Sequence, residues 1–237
     1  MISQKFYSRF YPDNSKSGTI KFYNWVWQYL DQSSVILNLG AGPTAEDSIK
    51  CFRGKVKKAI GADIDEVVLN NTDLDEAYVI NNNLLPFEDN SFDLVLSDYV
   101  LEHIEKPTEF LSEVKRVLKP GKSFFFRTPN NKHYITLISR LTPHSVHLLV
   151  ANKVRGLSKE DHDPYKTYYK MNSKETLIKL AEAAGFKENE LILIEAEPSY
   201  FIFSSFFFLL GVGYERLVNK FSMLSFLRAN IFGRFAK

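Results

Sequence analysis

The chain has 237 residues, 45% of them hydrophobic and 24% charged, and a net charge of +2. The length is enough to bury a core, the composition is ordinary for a soluble globular protein, and the near-neutral charge argues against a general nucleic-acid binder while leaving local basic patches open. The one cysteine, Cys51, excludes an internal disulfide and a CxxC pair, and reads as a small apolar residue in a reducing compartment. The N-terminal "MISQKFYSRFYPD" lacks the apolar core of a signal peptide, so a cytoplasmic location is expected.

In chain order, Ile20, Tyr23, Trp27 and Leu30 are spaced as on a helix and predict one over Thr19 to Leu30. Val35 to Leu39 is an apolar run closed by Gly40, the pattern of a buried strand. Ala45 to Phe52 predicts a short helix, with Thr44 as N-cap and Glu46 and Asp47 in its first turn. Lys58 to Ile64 reads as a second strand, Val67 to Asn70 as a short helix, Ala77 to Ile80 as a third strand and Leu94 to Ser97 as a fourth. Thr108 to Val117 is a helix with Phe110, Leu111, Val114 and Val117 on one face. "KPGK" is a turn and "SFFFRT" a fifth strand. Ser173 to Ala184 is a helix capped by Ser173 and ended by Gly185. "LILIEAE" and "RANIFGRFA" supply the sixth and seventh strands.

Strands that alternate with helices predict an α/β fold, a Rossmann-like, doubly wound, seven-stranded and mostly parallel sheet with helices on both faces. Leu137 to Tyr169, polar and rich in His and Pro, breaks the rhythm and reads as an insertion after the fifth strand. One domain is expected over 1–237, with an N-terminal helical cap at 1–32, a core at 33–130, an insertion or lid at 131–172 and a C-terminal part at 173–237.

The chain holds 20 Phe and 12 Tyr, many in its last third, and no residue from Tyr200 to Tyr214 is charged. That run is shorter than the roughly 20 apolar residues of a membrane span. It reads either as a buried helix or strand–helix segment, or as a surface for lipid or an apolar substrate that makes peripheral membrane contact. Arg216, Lys220, Arg228, Arg234 and Lys237 fit an anionic membrane surface or, equally, the solvated face of a terminal helix.

In a doubly wound sheet, ligands bind at the carboxyl ends of strands where the strand order reverses. "NLGAGPT" follows the first predicted strand, and Gly40 and Gly42 permit a tight turn and a close approach of backbone to a ligand. Thr44 stands where the third glycine of GxGxxG would be, so a plain strand–helix turn competes with a ligand site. About twenty residues further on, "IGADID" places acids at the end of the second strand, where one can accept both hydroxyl protons of a ribose. Asp65 fits better as a helix N-cap, which leaves Asp63 for the ribose.

"VILNLGAGPTAED", "IGADID" and "LLPFEDNSFDLVLSDYVLEHIEKPTEFLSEVKRVLKPGKSFFFRTPN" together resemble the class I S-adenosylmethionine-dependent methyltransferases, in particular the type 11-like small-molecule enzymes. "LPFEDNSFDLVLSDYVLEHI" is the most specific part, and the likeness covers about Ser33 to Asn130. The resemblance implies S-adenosyl-L-methionine as cofactor and S-adenosyl-L-homocysteine as product. It implies that Gly40, Ala41 and Gly42 pass beneath the cofactor's methionine part and that Asp63 takes the ribose hydroxyls, with Ile64 beside it. Ser97 and Asp98 would flank the amino-acid end. Asn81, Asn82 and Asn83 stand where the family often has an acid for the adenine amine, and an Asn carbonyl can accept the same proton. Asn38 stands where the family's first strand usually carries an acid, which removes a charge near the cofactor's amino group.

Methyl transfer needs alignment and the exclusion of water, and a base when the acceptor is a hydroxyl. His103, in "LEHI", is the candidate base because imidazole titrates near neutrality; a packing or capping histidine is the competing reading. His162 and Asp163 are second choices. Consecutive acids and a histidine on one loop rarely converge as metal ligands, so no metal is expected. Tyr7 and Tyr11, from the aromatic N-terminal stretch, and Arg127, Asn130 and His133, after the fifth strand, are candidate acceptor contacts. The expected partner is a small-molecule acceptor, by preference a sugar or lipid-linked saccharide that is O-methylated, and no nucleic acid. A methyltransferase acting on a macromolecule and a non-catalytic nucleotide-binding module are the alternatives.

Overall fold

The computed structural model of the chain describes residues 2, 4–45, 47–81, 84–141 and 165–237. Among them are the strands β1 Val35–Leu39, β2 Lys58–Asp63, β3 Glu76–Val79, β4 Phe92–Asp98, β5 Leu118–Pro129, β6 Glu188–Ile194 and β7 Asn230–Ala236. They form one sheet in the order β3-β2-β1-β4-β5-β7-β6. The first five positions pair in parallel, with Leu37 of β1 opposite Ile60 of β2 and Val95 of β4, and Leu96 of β4 opposite Phe125 of β5. β7 runs antiparallel to β5: the Gly121 N–H donates to the Lys237 carbonyl at 3.1 Å, and the Asn130 N–H to the Ala229 carbonyl at 2.7 Å. The sheet is therefore mixed, and its order reverses between β1 and β4.

Central strands buried on both faces need near-continuous apolar runs. Ile36, Leu37, Leu94, Val95, Leu96 and Phe124 to Phe126 meet that need and are buried. Helices cover both faces. Phe125 meets Trp25 of α2 (Gly18–Trp27) with ring centroids 4.9 Å apart, while Phe124, pointing the other way, meets Phe110 of α3 (Pro107–Val117) at 6.0 Å. α3 begins with Pro107, carries Glu109 in its first turn and Lys115 and Arg116 in its last, all favourable for the helix dipole. It buries Leu111, Val114 and Val117. A helix at Lys174–Ala183 starts as expected, with the Thr176 N–H donating to Ser173 Oγ at 3.2 Å, and ends before Gly185, whose φ is +77°.

The chain divides into two compact units. One comprises residues 22–128, 167–192 and 231–237, and holds most of the sheet; the other comprises 1–21, 129–166 and 193–230. In the second unit, the short helix α1 (Gln4–Ser8) is followed by Phe10 and Tyr11, and Phe6, Tyr7, Phe10 and Tyr11 ring Phe208. Phe208 belongs to the helix Ser205–Lys220. That unit also carries the helix Tyr134–Leu141, which opens the predicted insertion. No described helix is long and apolar enough to cross a membrane.

Three expectations change. Ser48 to Lys50 form a turn where a helix over Ala45 to Phe52 was predicted. The local polar groups compete with helical bonds: Asp47 Oδ1 accepts the Ile49 N–H at 3.2 Å, and the carbonyls of Ser48 and Ile49 accept from Lys55 Nζ and Trp27 Nε1. "KPGK" lies inside β5, whose pairing with β4 jumps from Phe92–Leu118 to Leu94–Ser123, so the turn signal marks a bulge. Arg234 and Lys237 sit at β7, where Arg234 pairs with Glu188 and Lys237 Nζ donates to the Leu118 carbonyl at 2.7 Å. They are not part of a helix face.

Candidate cofactor site at the strand-order reversal

The turn after β1 lies at the carboxyl edge of the sheet, beside the reversal. Gly40 and Gly42 have φ of +71° and +57°, in the left-handed region that glycine alone enters freely. A Cβ on Gly40 would overlap Val100, so the position is closed to larger residues on steric grounds too. At Gly42 a Cβ would meet nothing within 4 Å among the described residues. Four partners hold the turn. The Gly40 N–H donates to the Ala62 carbonyl at 2.8 Å and the Gly42 N–H to Asp63 Oδ2 at 2.8 Å. The Asn71 amide donates to the carbonyls of Gly42 and Pro43 at 2.9 and 3.1 Å, and the Ala45 N–H donates to Asp73 Oδ2 at 2.8 Å. Asn71 and Asp73 were not singled out from sequence; the polar run "LNNTDLDE" was their only signal.

Asp63 thus has a job within the fold, since its other oxygen accepts the Asp65 N–H at 3.1 Å. Two bonds leave about half the acceptor capacity of a carboxylate free. Asp65 caps the following 3-10 turn, as the sequence suggests, by accepting the Val67 N–H at 2.9 Å.

A cavity of about 300 Å³ opens at the turn, lined among others by Tyr23, Asn38, Gly40, Ala41, Asp73 and Asp98. Its volume is at the lower end of the range for small-molecule sites, about 300–1,000 Å³. The Asp98 carboxylate takes two bonds from Arg127, from Nε at 2.5 Å and from a terminal nitrogen at 2.6 Å, and a third from the Tyr23 hydroxyl at 3.2 Å. Arg127 is only 3% exposed and lies over the Tyr99 ring at 4.5 Å. Burial alone would lower its pKa, yet the paired Asp98 outweighs burial and holds it above its ordinary value. Burial and the same carboxylate raise the Tyr23 phenol. Tyr99 has φ of +60°, a costly conformation for a residue with a side chain, and its N–H donates to the Arg127 carbonyl at 2.9 Å. Ser97, one residue before Asp98, is fully buried, and its Oγ has no hydrogen-bond partner among the described residues.

The remaining candidates scatter. Ile64 is exposed just past β2, and Asn81 is exposed just past β3. Asn82, Asn83, His162 and Asp163 lie outside the described residues. His103 closes the 3-10 turn Leu101–His103 after β4 and is half-buried. Its neighbour Glu102 was not anticipated. The carboxyl of Glu102 is buried, accepts the Thr128 hydroxyl at 3.1 Å, and is pushed by burial up to about 7. The Asn172 amide donates to the same Thr128 oxygen at 2.7 Å.

The acceptor candidates are absorbed by packing. Arg127 is committed to Asp98. In the second unit, Tyr11 is buried and its hydroxyl donates to Glu215 at 3.4 Å, and Tyr7 packs against it with ring centroids 5.4 Å apart. Asn130 is buried and donates to the carbonyls of Phe226 and Arg228 at 2.8 and 2.7 Å. His133 packs between Tyr134 and Tyr214, with Nε2 3.8 Å from Glu195. Burial pushes His133 down to about 4 and Glu195 up to about 8, in each case favouring the neutral form.

Residues 37–126 match the family of methyltransferase domains. A Mycolicibacterium smegmatis protein named "Probable S-adenosylmethionine-dependent methyltransferase" is 36% identical over 78 residues, 31% of this chain and 30% of that protein. The sterol 4-C-methyltransferase strm-1 of Caenorhabditis elegans is 36% identical over 62 residues, 22% of this chain and 19% of its own. The matched segments thus span less than a third of either relative. In fold, the chain is similar to a SAM-dependent methyltransferase from Archaeoglobus fulgidus, with a TM-score of 0.59 and 17% identity, covering 98% of both chains. Residues 37–126 thus match a methyltransferase domain, and the chain shares its fold with S-adenosylmethionine-dependent methyltransferases.

Proposed function

We propose that the chain transfers a methyl group from S-adenosylmethionine to the hydroxyl of a small-molecule acceptor, for preference a sugar or lipid-linked saccharide. The observation that carries this reading is the convergence of Asn38, the glycine turn and Asp98 on one cavity at the strand-order reversal. Bound there, S-adenosylmethionine supplies an activated methyl group on its sulfonium. The residues present fit it. Gly40 and Ala41 line the cavity and the Asn38 side-chain carbonyl there can accept from an ammonium, while Gly42 and Asp63 lie beside that lining, Asp63 with acceptor capacity left for ribose hydroxyls. Asp98 is held in place by Arg127 and Tyr23, so its orientation is set before the ligand arrives, which lowers the cost of binding.

His103 takes the role of proton acceptor for the hydroxyl. It closes the 3-10 turn Leu101–His103, five residues beyond Asp98 at the end of β4. A hydroxyl needs that proton removed as the new bond forms, and a placed base contributes about 10²–10⁴-fold to rate.

The test is transfer of labelled methyl from S-adenosylmethionine to a panel of sugars, lipid-linked saccharides, nucleic acids and proteins. Label on a hydroxyl of a sugar or saccharide, with kcat reduced about a hundredfold in His103→Ala and cofactor affinity unchanged, is the expected result. Label only on a macromolecule, or no transfer by protein that binds the cofactor, would refute the reading.

A further inference from the structure

The helix at Ser205–Lys220, α6 in chain order, is apolar on the wrong side for a helix that only serves a core. Its inner face buries Phe208, Gly211, Val212, Val218 and even the carboxylate of Glu215. Its outer face carries Phe206, Leu210, Gly213 and Leu217 at i, i+4, i+7 and i+11, a continuous stripe. Phe206 is 67% exposed and Leu210 56%, with Phe207 and Leu209 alongside them also open. The segments at either end extend the surface, Tyr200 and Phe203 before the helix and Phe221, Met223 and Phe226 after it. Contiguous exposure of this extent marks an interaction surface.

Charge decides what covers it. The second unit has 13 Lys and Arg against 7 Asp and Glu, whereas the sheet unit has 17 against 21. Among its described residues that are exposed, the basic ones are Lys5, Arg9, Lys132, Lys166, Arg216 and Lys220 and the acidic one is Asp13, and Arg216 also pairs with the buried Glu215 at 3.2 Å. Arg216 and Lys220 lie on the last turns of α6 itself, and Lys5 adjoins Phe6 of α1, with Arg9 three residues further on, where Phe6 packs on Phe208 with ring centroids 6.0 Å apart. A second copy docked on the same face by two-fold symmetry would set this cationic rim against itself. An anionic lipid surface meets both halves of the pattern: acyl chains take the aromatic stripe, and lipid phosphates take the basic rim. The helix is about 24 Å long at 1.5 Å per residue, suited to lie along a surface and too short to span one.

We infer that the outer face of α6 docks in the interface of an anionic bilayer. The test is flotation with vesicles of phosphatidylcholine alone and of phosphatidylcholine with phosphatidylglycerol, beside sedimentation velocity without lipid. The protein floats with the mixed vesicles and partitions onto the neutral ones about tenfold or more weakly. Salt reduces the binding. Phe206→Ser with Leu210→Ser weakens it about tenfold or more without changing Tm, since both side chains are exposed. Lys5→Glu with Arg9→Glu removes the preference for phosphatidylglycerol. Absence of vesicle binding by folded protein, equal binding to both vesicles, binding unaffected by the Phe206 and Leu210 changes, or a dimer closed through this face in place of vesicle binding would each overturn the inference.

Discussion

Between Gly40 and Ala45 the polar backbone is tied down by four neighbouring groups, whereas along α6 a row of large apolar side chains is left facing solvent. The first region spends its hydrogen bonds on keeping one shape, with Asp63, Asn71 and Asp73 as anchors. The second keeps its shape through an aromatic cluster on its inner side and leaves the outer side uncommitted. A preformed turn suits a small ligand that must be held in one orientation. An uncommitted apolar face suits a partner that is itself fluid. The contrast also separates what each region tolerates: substitutions at the sheet edge should cost stability, and substitutions on the outer face of α6 should not.

The sharpest way to break that contrast is at Arg127. Its removal leaves the Asp98 carboxylate without its main partner in a buried setting, so Arg127→Ala should lose about 3–5 kcal/mol in urea denaturation. A loss under about 1 kcal/mol would show that the edge is not held as described. Gly40→Ala comes next. The left-handed φ and the overlap with Val100 together predict a loss of roughly 1–3 kcal/mol, with weaker cofactor binding in the folded fraction, read by thermal shift with and without S-adenosylhomocysteine.

Glu102 tests the buried part of the same edge by pH. Its pKa is raised in the folded protein to about 7 from an ordinary 4.5. Its contribution to stability is therefore fully present below its unfolded pKa and is lost as pH rises through the folded value. Between about pH 5 and pH 8, the parent should lose on the order of 2 kcal/mol more than Glu102→Gln, which keeps the bond from Thr128 and cannot ionise. Parallel pH profiles would remove Glu102 from the account. The smallest effect belongs to the other region: Leu210→Ser should stay within about 0.5 kcal/mol of the parent. A larger loss would mean that the outer face is packed after all.

The sheet was largely legible in the sequence because β1, β2 and β4 are short apolar runs ended by glycine or an acid, and such runs have few other uses. Asp65 as a cap and Ser173 as a helix start were readable for a local reason, since both act on a backbone two or three residues away. The helix after the glycine turn was misread because its carbonyls are claimed from a distance, by Trp27 and Lys55. The site divides the same way. Gly40 and Gly42 were visible from their place after the first strand, and Asp98 through the family resemblance. Arg127 was visible as a residue of the edge, yet its role as the partner of Asp98 depends on a pairing 29 residues apart. Asn71, Asp73 and Glu102 gave no pattern of their own, since a polar loop residue that anchors a turn looks like one that faces water. In the aromatic tail, the uncharged run suggested a buried helix or strand–helix segment or an apolar surface, but which side of the helix is buried was decided by α1, almost two hundred residues earlier.

The most direct measurement is a calorimetric titration of the parent and of Asp63→Asn with S-adenosylmethionine, S-adenosylhomocysteine and NAD. The substitution keeps an oxygen for the Gly42 N–H and removes the charge and one acceptor. Saturable binding of the first two ligands alone, weakened about tenfold in the variant by the loss of a charge-assisted hydrogen bond, is the predicted result. Folded parent protein that binds neither S-adenosyl ligand would contradict the account.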